Sequence, residues 1–173
     1  MTSAHSTQVI VAALMERELE NVIQEVELFP DDELLWATLP GVANSCGNLA
    51  IHLAGNLQHF VGMHLGKTGY VRNRPNEFSQ KSGTRAEVVA EVRRAIDVVR
   101  RVVPKLTEDE WAARYAEDVG GVAQETGPFL MHLASHAAFH LGQMGYLRRT
   151  LTGQSESTNP VAPKLLMERL ARR

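Results

Sequence analysis

The chain has 173 residues, 44% of them hydrophobic and 22% charged, with a formal net charge of −2. That composition suits one soluble domain with its own core, and the lack of any long basic run argues against nucleic acid as the main partner. The opening MTSAHSTQVIVAALMERE has no basic n-region and its apolar run is broken by charge, so neither a signal peptide nor a membrane span is expected; Cys46, the one cysteine, permits no intrachain disulfide and fits a cytoplasmic setting.

A first long helix is expected over about residues 7–29, where Ala12, Met15, Leu19, Val22, Val26 and Phe29 recur at helical spacing. Glu16, Arg17, Glu18 and Glu20 lie mostly off that stripe and should be solvated. Pro30-Asp31-Asp32 ends the helix, and Leu34-Leu35-Trp36 through Pro40-Gly41 reads as a connecting loop with an apolar anchor. The second helix starts at Asn44 or Ser45 as N-cap and runs to about Leu65, with Leu49, His52, Leu53, Asn56, Phe60 and Met63 on its inner face. His59 follows His52 by two turns and His64 lies near the helix end; both are expected at the surface or an interface. Lys67 to Gly83 is a polar loop, too long for a tight helical hairpin.

Thr84 to Glu87 is a capping box opening a third helix to about Val103, with Val88, Val92, Ile96 and Val99 inside and Pro104 as the stop. A second capping box, Thr107 to Glu110, opens a short helix around Trp111. Residues 112–126 read as irregular, and a fourth helix runs from about Pro128 to Leu151. A short C-terminal helix is expected near Pro163. The expected fold is all-α: a four-helix bundle with long loops after helices two and three, in one domain spanning 1–173, with a core of about 8–152 and an extension of 153–173.

The chemistry concentrates in the fourth helix, where His132, His136 and His140 are each four apart. Neighbours at that spacing have Cβ atoms roughly 5–6 Å apart on one helix face, so two imidazoles can address one ion. All three cannot, because His132 and His140 stand about 12 Å apart along the axis. One adjacent pair is the candidate chelate, and a third ligand must come from elsewhere; His52, in the apolar setting AIHLAG, lies on a separate helix. That combination favours an open three-histidine site for a divalent transition metal such as zinc, nickel, iron or manganese over chance packing. The residues three before each histidine of these helices include no Glu, which excludes a ferritin-like di-iron centre, and no His-Glu-x-x-His is present, which excludes a zincin protease.

Ser45-Cys46-Gly47-Asn48-Leu49-Ala50-Ile51-His52-Leu53-Ala54-Gly55-Asn56, the loop Arg72-Asn73-Arg74-Pro75-Asn76-Glu77-Phe78, and His136-Ala137-Ala138-Phe139-His140-Leu141-Gly142-Gln143 together resemble the DinB/YfiT-like (DinB superfamily) metal-binding four-helix bundles, over about residues 8–152. The resemblance implies a divalent ion on His52, His136 and His140, with His132 a neighbour and not a ligand. It also implies a homodimer and a thiol S-transferase activity that joins a low-molecular-weight bacterial thiol, such as bacillithiol or mycothiol, to electrophilic small molecules. A metal-dependent hydrolase and a non-catalytic stress or accessory protein are the alternatives.

Asn48 and Asn56, one turn either side of His52, and Gln143, three after His140, are candidates to orient the ligands or are ordinary polar interior residues. Arg74 and Glu77 are candidates to close over the site from the loop, or form a surface ion pair. Cys46, near a helix N-terminus, reads as a small core residue before it reads as a nucleophile.

Overall fold

Ser6 caps the first helix by accepting from the Val9 amide, and α1 then runs from Thr7 to Glu27 in the computed structural model, which describes residues 5–172. The described residues form eight α-helices and no strand, although two isolated bridges, Arg114 with Glu125 and Val119 with Val122, pin the irregular stretch before the last long helix. Four helices are long: α1, α3 (Cys46–Leu57, prolonged by a π-helical segment, Gln58–Leu65), α5 (Arg85–Val102) and α7 (Thr126–Thr152). Helices α1 and α3 each pack against both α5 and α7, and their facing stripes bury one continuous core that includes Met15, Leu19, Val22, Leu53, Val92, Val99, Leu130 and Met144. No helix among the described residues is long and apolar enough to cross a membrane.

Shorter elements appear where loops were expected. Leu34 and Leu35 belong to α2 (Asp32–Leu35), capped by Asp31, and Trp36 turns inward so that its indole N–H donates to the Gly83 carbonyl at 2.7 Å. The polar stretch after the second long helix contains α4 (Arg74–Ser79), whose N-cap Asn73 accepts from the Asn76 amide. Capping boxes at Ser45/Asn48, Thr84/Glu87 and Thr107/Glu110 open α3, α5 and α6 (Glu108–Ala112), each satisfying amides that the first helical turn leaves free. Helix α8 (Pro163–Ala171) folds back onto α1 and buries Leu170.

The charged positions of α1 are the clearest departure from the periodicity. Glu16 and Glu18 are buried, at 4% and 2% exposure, not solvated. Glu18 accepts from Arg17, Glu16 pairs with Arg100 of α5 at 3.1 Å, and Glu20 pairs with Arg169 of α8. Helix α1 is covered on three sides by α5, α7 and α8, so positions outside the apolar stripe are also enclosed and need ionic partners. Deepest of all is the pair Glu25–Arg148, 2.5 Å apart; Arg148 also donates to the Glu156 carbonyl, and Glu25 accepts from Thr158 at 3.0 Å.

Candidate metal centre

His52 sits in the second turn of α3 with 6% of its surface exposed. His136 and His140 lie one turn apart on α7, which packs against α3. The ring nitrogens converge: His52 Nε2 is 3.4 Å from His136 Nε2, which is 2.9 Å from His140 Nε2. The rings meet edge to face, at centroid separations of 5.2, 5.3 and 4.4 Å.

Hydrogen bonds on the far edges of two rings assign the protons. His52 Nδ1 lies 2.8 Å from Glu77 Oε2, and a carboxylate oxygen only accepts, so His52 carries its proton on Nδ1. Arg72 Nη2 also approaches this nitrogen at 3.3 Å, but the nitrogen cannot accept while it donates to Glu77. His140 Nδ1 stands 2.7 Å from Gln143 Oε1 and is a donor for the same reason. Both rings therefore aim an Nε2 lone pair at His136 Nε2. A proton on that atom can serve one of them, never both. A single cation in the midst of the three nitrogens satisfies all of them, and three nitrogens bound to zinc at about 2.0–2.1 Å stand roughly 3.3–3.4 Å apart in a tetrahedron.

The electrostatics agree. Burial, with the charges of His140, His52, His132 and Arg72 adding to it, pushes His136 down from 6.5 to about 4, so its ring is neutral at physiological pH, as a metal ligand must be. Burial also lowers His140, against the hydrogen bond to Gln143. For Glu77, burial opposes ionisation, but the hydrogen bonds from His52 and Arg72 outweigh it and hold the carboxyl below its ordinary value. Arg72 grips Glu77 with both arms, Nε to Oε1 at 2.7 Å and Nη2 to Oε2 at 2.8 Å. The result is an Arg–Glu–His relay that fixes the orientation of His52.

The loop candidates divide. Glu77 is buried against His52, whereas Arg74 is exposed with its guanidinium 5.1 Å over the Phe78 ring and does not reach the histidines; it is Arg72, two residues earlier, that pairs with Glu77. Nothing in the sequence separated the two arginines, because both lie in an aperiodic segment. Phe78 packs its own ring 4.8 Å from that of His52. Asn48 acts at one remove: its Nδ2 donates to the backbone carbonyls of Glu77 and Gln80, both at 2.9 Å, tying α4 down behind His52. Asn56 is buried with its Oδ1 unpartnered and makes no hydrogen bond to the three histidines. His132 is exposed, its ring 6.3 Å from that of His136, outside the converging set. Cys46 is fully buried, and burial, reinforced by the Glu25 charge, pushes its thiol up to about 12; at neutral pH it is no nucleophile.

The family model for the DinB superfamily matches residues 14–144, which contain all three histidines together with Arg72 and Glu77. The chain belongs to the DinB superfamily. No curated protein and no solved structure matches it. Within this DinB-superfamily chain the donor set, three imidazoles with two of them oriented from behind, suits a divalent transition ion of the kind associated with the family.

Proposed function

We propose that the protein uses His52, His136 and His140 to hold one divalent transition-metal ion with a position open to solvent, and that it is a metal-dependent enzyme of the thiol S-transferase kind acting on electrophilic small molecules. The observation that carries the reading is the convergence of three Nε2 atoms while Glu77 and Gln143 occupy the opposite edges of two rings. When bound, the ion supplies a positive centre that favours a cosubstrate's thiolate over its thiol at neutral pH.

Glu77 orients His52 from the far side and is held by both arms of Arg72, so it is not free to take a proton from water; this favours thiol transfer over hydrolysis. The buried, un-ionised Cys46 leaves the nucleophilic sulfur to the cosubstrate. The four long helices constitute the bundle of the DinB/YfiT-like proteins, and the functional unit is a cytoplasmic homodimer.

Metal analysis of purified protein, followed by bacillithiol, mycothiol and glutathione assayed against chlorodinitrobenzene, tests the proposal. In that reaction a carbon–sulfur bond forms, chloride leaves and the thiol proton goes to solvent. Activity with one of these thiols should vanish in His136→Ala and His140→Ala and persist in Cys46→Ala. A His136→Ala protein that binds as much metal as wild type overturns the ligand set; a protein that loses metal on that substitution but turns over none of the thiols leaves a non-catalytic metal-binding role.

A further inference from the structure

A second cluster of side chains of the types that ligate metals gathers around the helical run beyond His52. His59 and His64 belong to the π-helical segment, and Glu117 to the irregular stretch before α7. His59 Nε2 and His64 Nε2 both approach Glu117 Oε2, at 3.0 and 2.7 Å, and the two rings stand 4.9 Å apart at 80°. Neither histidine is a surface residue: their side chains are only 18% and 15% exposed, while Glu117 is 41% exposed.

The helix type makes this cluster. On an α-helix, at 3.6 residues per turn, positions 59 and 64 point about 140° apart and cannot share a partner. Here the Gly66 amide donates to the Val61 carbonyl at 2.9 Å, a bond between residues five apart, so side chains at that separation stack on one face. Gly66 permits it, since a Cβ there would stand 2.7 Å from Val102 Cγ2. The third member is brought in by Tyr115, whose hydroxyl donates to the Phe60 carbonyl at 2.6 Å and whose ring lies 5.5 Å from that of His64. Such π-segments gather at functional sites.

We propose that His59, His64 and Glu117 form a second binding site, independent of the first, for a divalent transition-metal ion such as zinc. Two imidazole nitrogens and one carboxylate oxygen are the donor set of open zinc sites, and they favour zinc over the oxygen-loving calcium or magnesium. All the donor atoms lie within 4.8 Å of one another. Without an ion they are joined by hydrogen bonds; with one, they open to roughly 3.3–3.4 Å, a movement the half-exposed Glu117 can make. His59 Nδ1 is buried without a partner, so a hydrogen-bonded bridge through Nε2 leaves this ring's other nitrogen unmatched. Arg72, whose guanidinium lies 5.6 Å over the Phe60 ring, is neutralised by Glu77 and does not stand free to repel a cation.

The test uses the full chain with both sites and zinc or cobalt alone. Wild type should bind about two zinc ions per chain, and His136→Ala/His140→Ala about one. Adding His64→Ala should abolish that remaining binding, and adding Glu117→Gln should weaken it at least about tenfold. Glutamine can still accept both hydrogen bonds, so a bridge with no metal role would survive this change and the fold with it; helical circular dichroism checks the latter. Cobalt in the His136→Ala/His140→Ala protein should give the visible bands of a four-coordinate ion and lose them in the Glu117→Gln form. The proposal is overturned if the His136→Ala/His140→Ala protein binds no zinc, or if its zinc is indifferent to both further substitutions. Equal zinc in wild type and His136→Ala/His140→Ala would instead overturn the first site, leaving this one standing.

Discussion

Glu77 orients His52 within the candidate histidine triad, and Gly55 leaves it the room to do so. Gly55 faces Glu77: a Cβ at Gly55 would stand 2.3 Å from Glu77 Oε1. Gly55→Ala must therefore push the carboxylate off His52 while leaving the helix itself intact. Zinc affinity should fall on the order of 10–100-fold, as it does when the group behind a ligating histidine is lost, and competition with a chelating dye would measure it. Unchanged affinity would mean that Glu77 does not orient His52. The second residue effect is one of pH. Because His136 is lowered from 6.5 to about 4 in the fold, the unfolded chain takes up this proton first as pH falls. Its stabilising effect in metal-free protein is complete above pH 6.5 and is lost as pH falls towards 4. Thermal melts of the metal-free protein should drop across that window, and His136→Gln should flatten the curve. Glu77, held below its ordinary value, adds a further loss only at lower pH, as its carboxylate protonates.

At the scale of elements, the stretch between α6 and α7 matters more than its lack of regular structure implies. The Thr126 amide, donating to the Ala113 carbonyl, and the Tyr115 amide, donating to the Gln124 carbonyl, close it at the base, and the Tyr115 side chain anchors it to the π-helical segment. Tyr115 is 2% exposed and rests on Phe129 and Phe60, at ring separations of 4.6 and 6.3 Å. Tyr115→Phe keeps those contacts but leaves the Phe60 carbonyl without its buried donor. The expected cost is about 1–3 kcal/mol in urea denaturation. A cost near zero would mean that the segment is held by packing alone.

For the whole molecule, the core runs through all four long helices and does not depend on the histidines, so stripping metal with a chelator should leave helical circular dichroism intact and lower only the melting temperature. Loss of most of the helical signal would contradict this. The Glu25–Arg148 pair joins α1 to α7 beneath the 153–162 segment, with Arg148 fully buried. Arg148→Met strands the Glu25 carboxylate in the core and should cost about 3–5 kcal/mol; Glu25→Leu/Arg148→Met should recover much of it, because an apolar pair of similar volume removes both buried charges.

The long helices, their caps and the all-α class follow from local rules, since a 3.6-residue period and a capping box act within a few residues of chain. That only an adjacent pair among His132, His136 and His140 can address one point was legible for the same reason, because helix geometry fixes which side chains share a face; the choice of His136 and His140, with His52 opposite, came from the resemblance to the DinB/YfiT-like bundles, not from local geometry. The triad's second layer was only partly legible. Gln143 follows from helical spacing, but Arg72 in place of Arg74, and Asn48 acting through the backbone of α4, depend on how a folded-back loop lies against α3. The burial of Glu16, Glu18 and Glu25 was hidden because it comes from α5, α7 and α8 enclosing α1, contacts between residues up to 149 positions apart that no local pattern encodes. The His59–His64–Glu117 cluster was hidden twice over: one hydrogen-bond register, five instead of four, turns two histidines onto a common face, and a tertiary contact at Tyr115 carries the carboxylate to them.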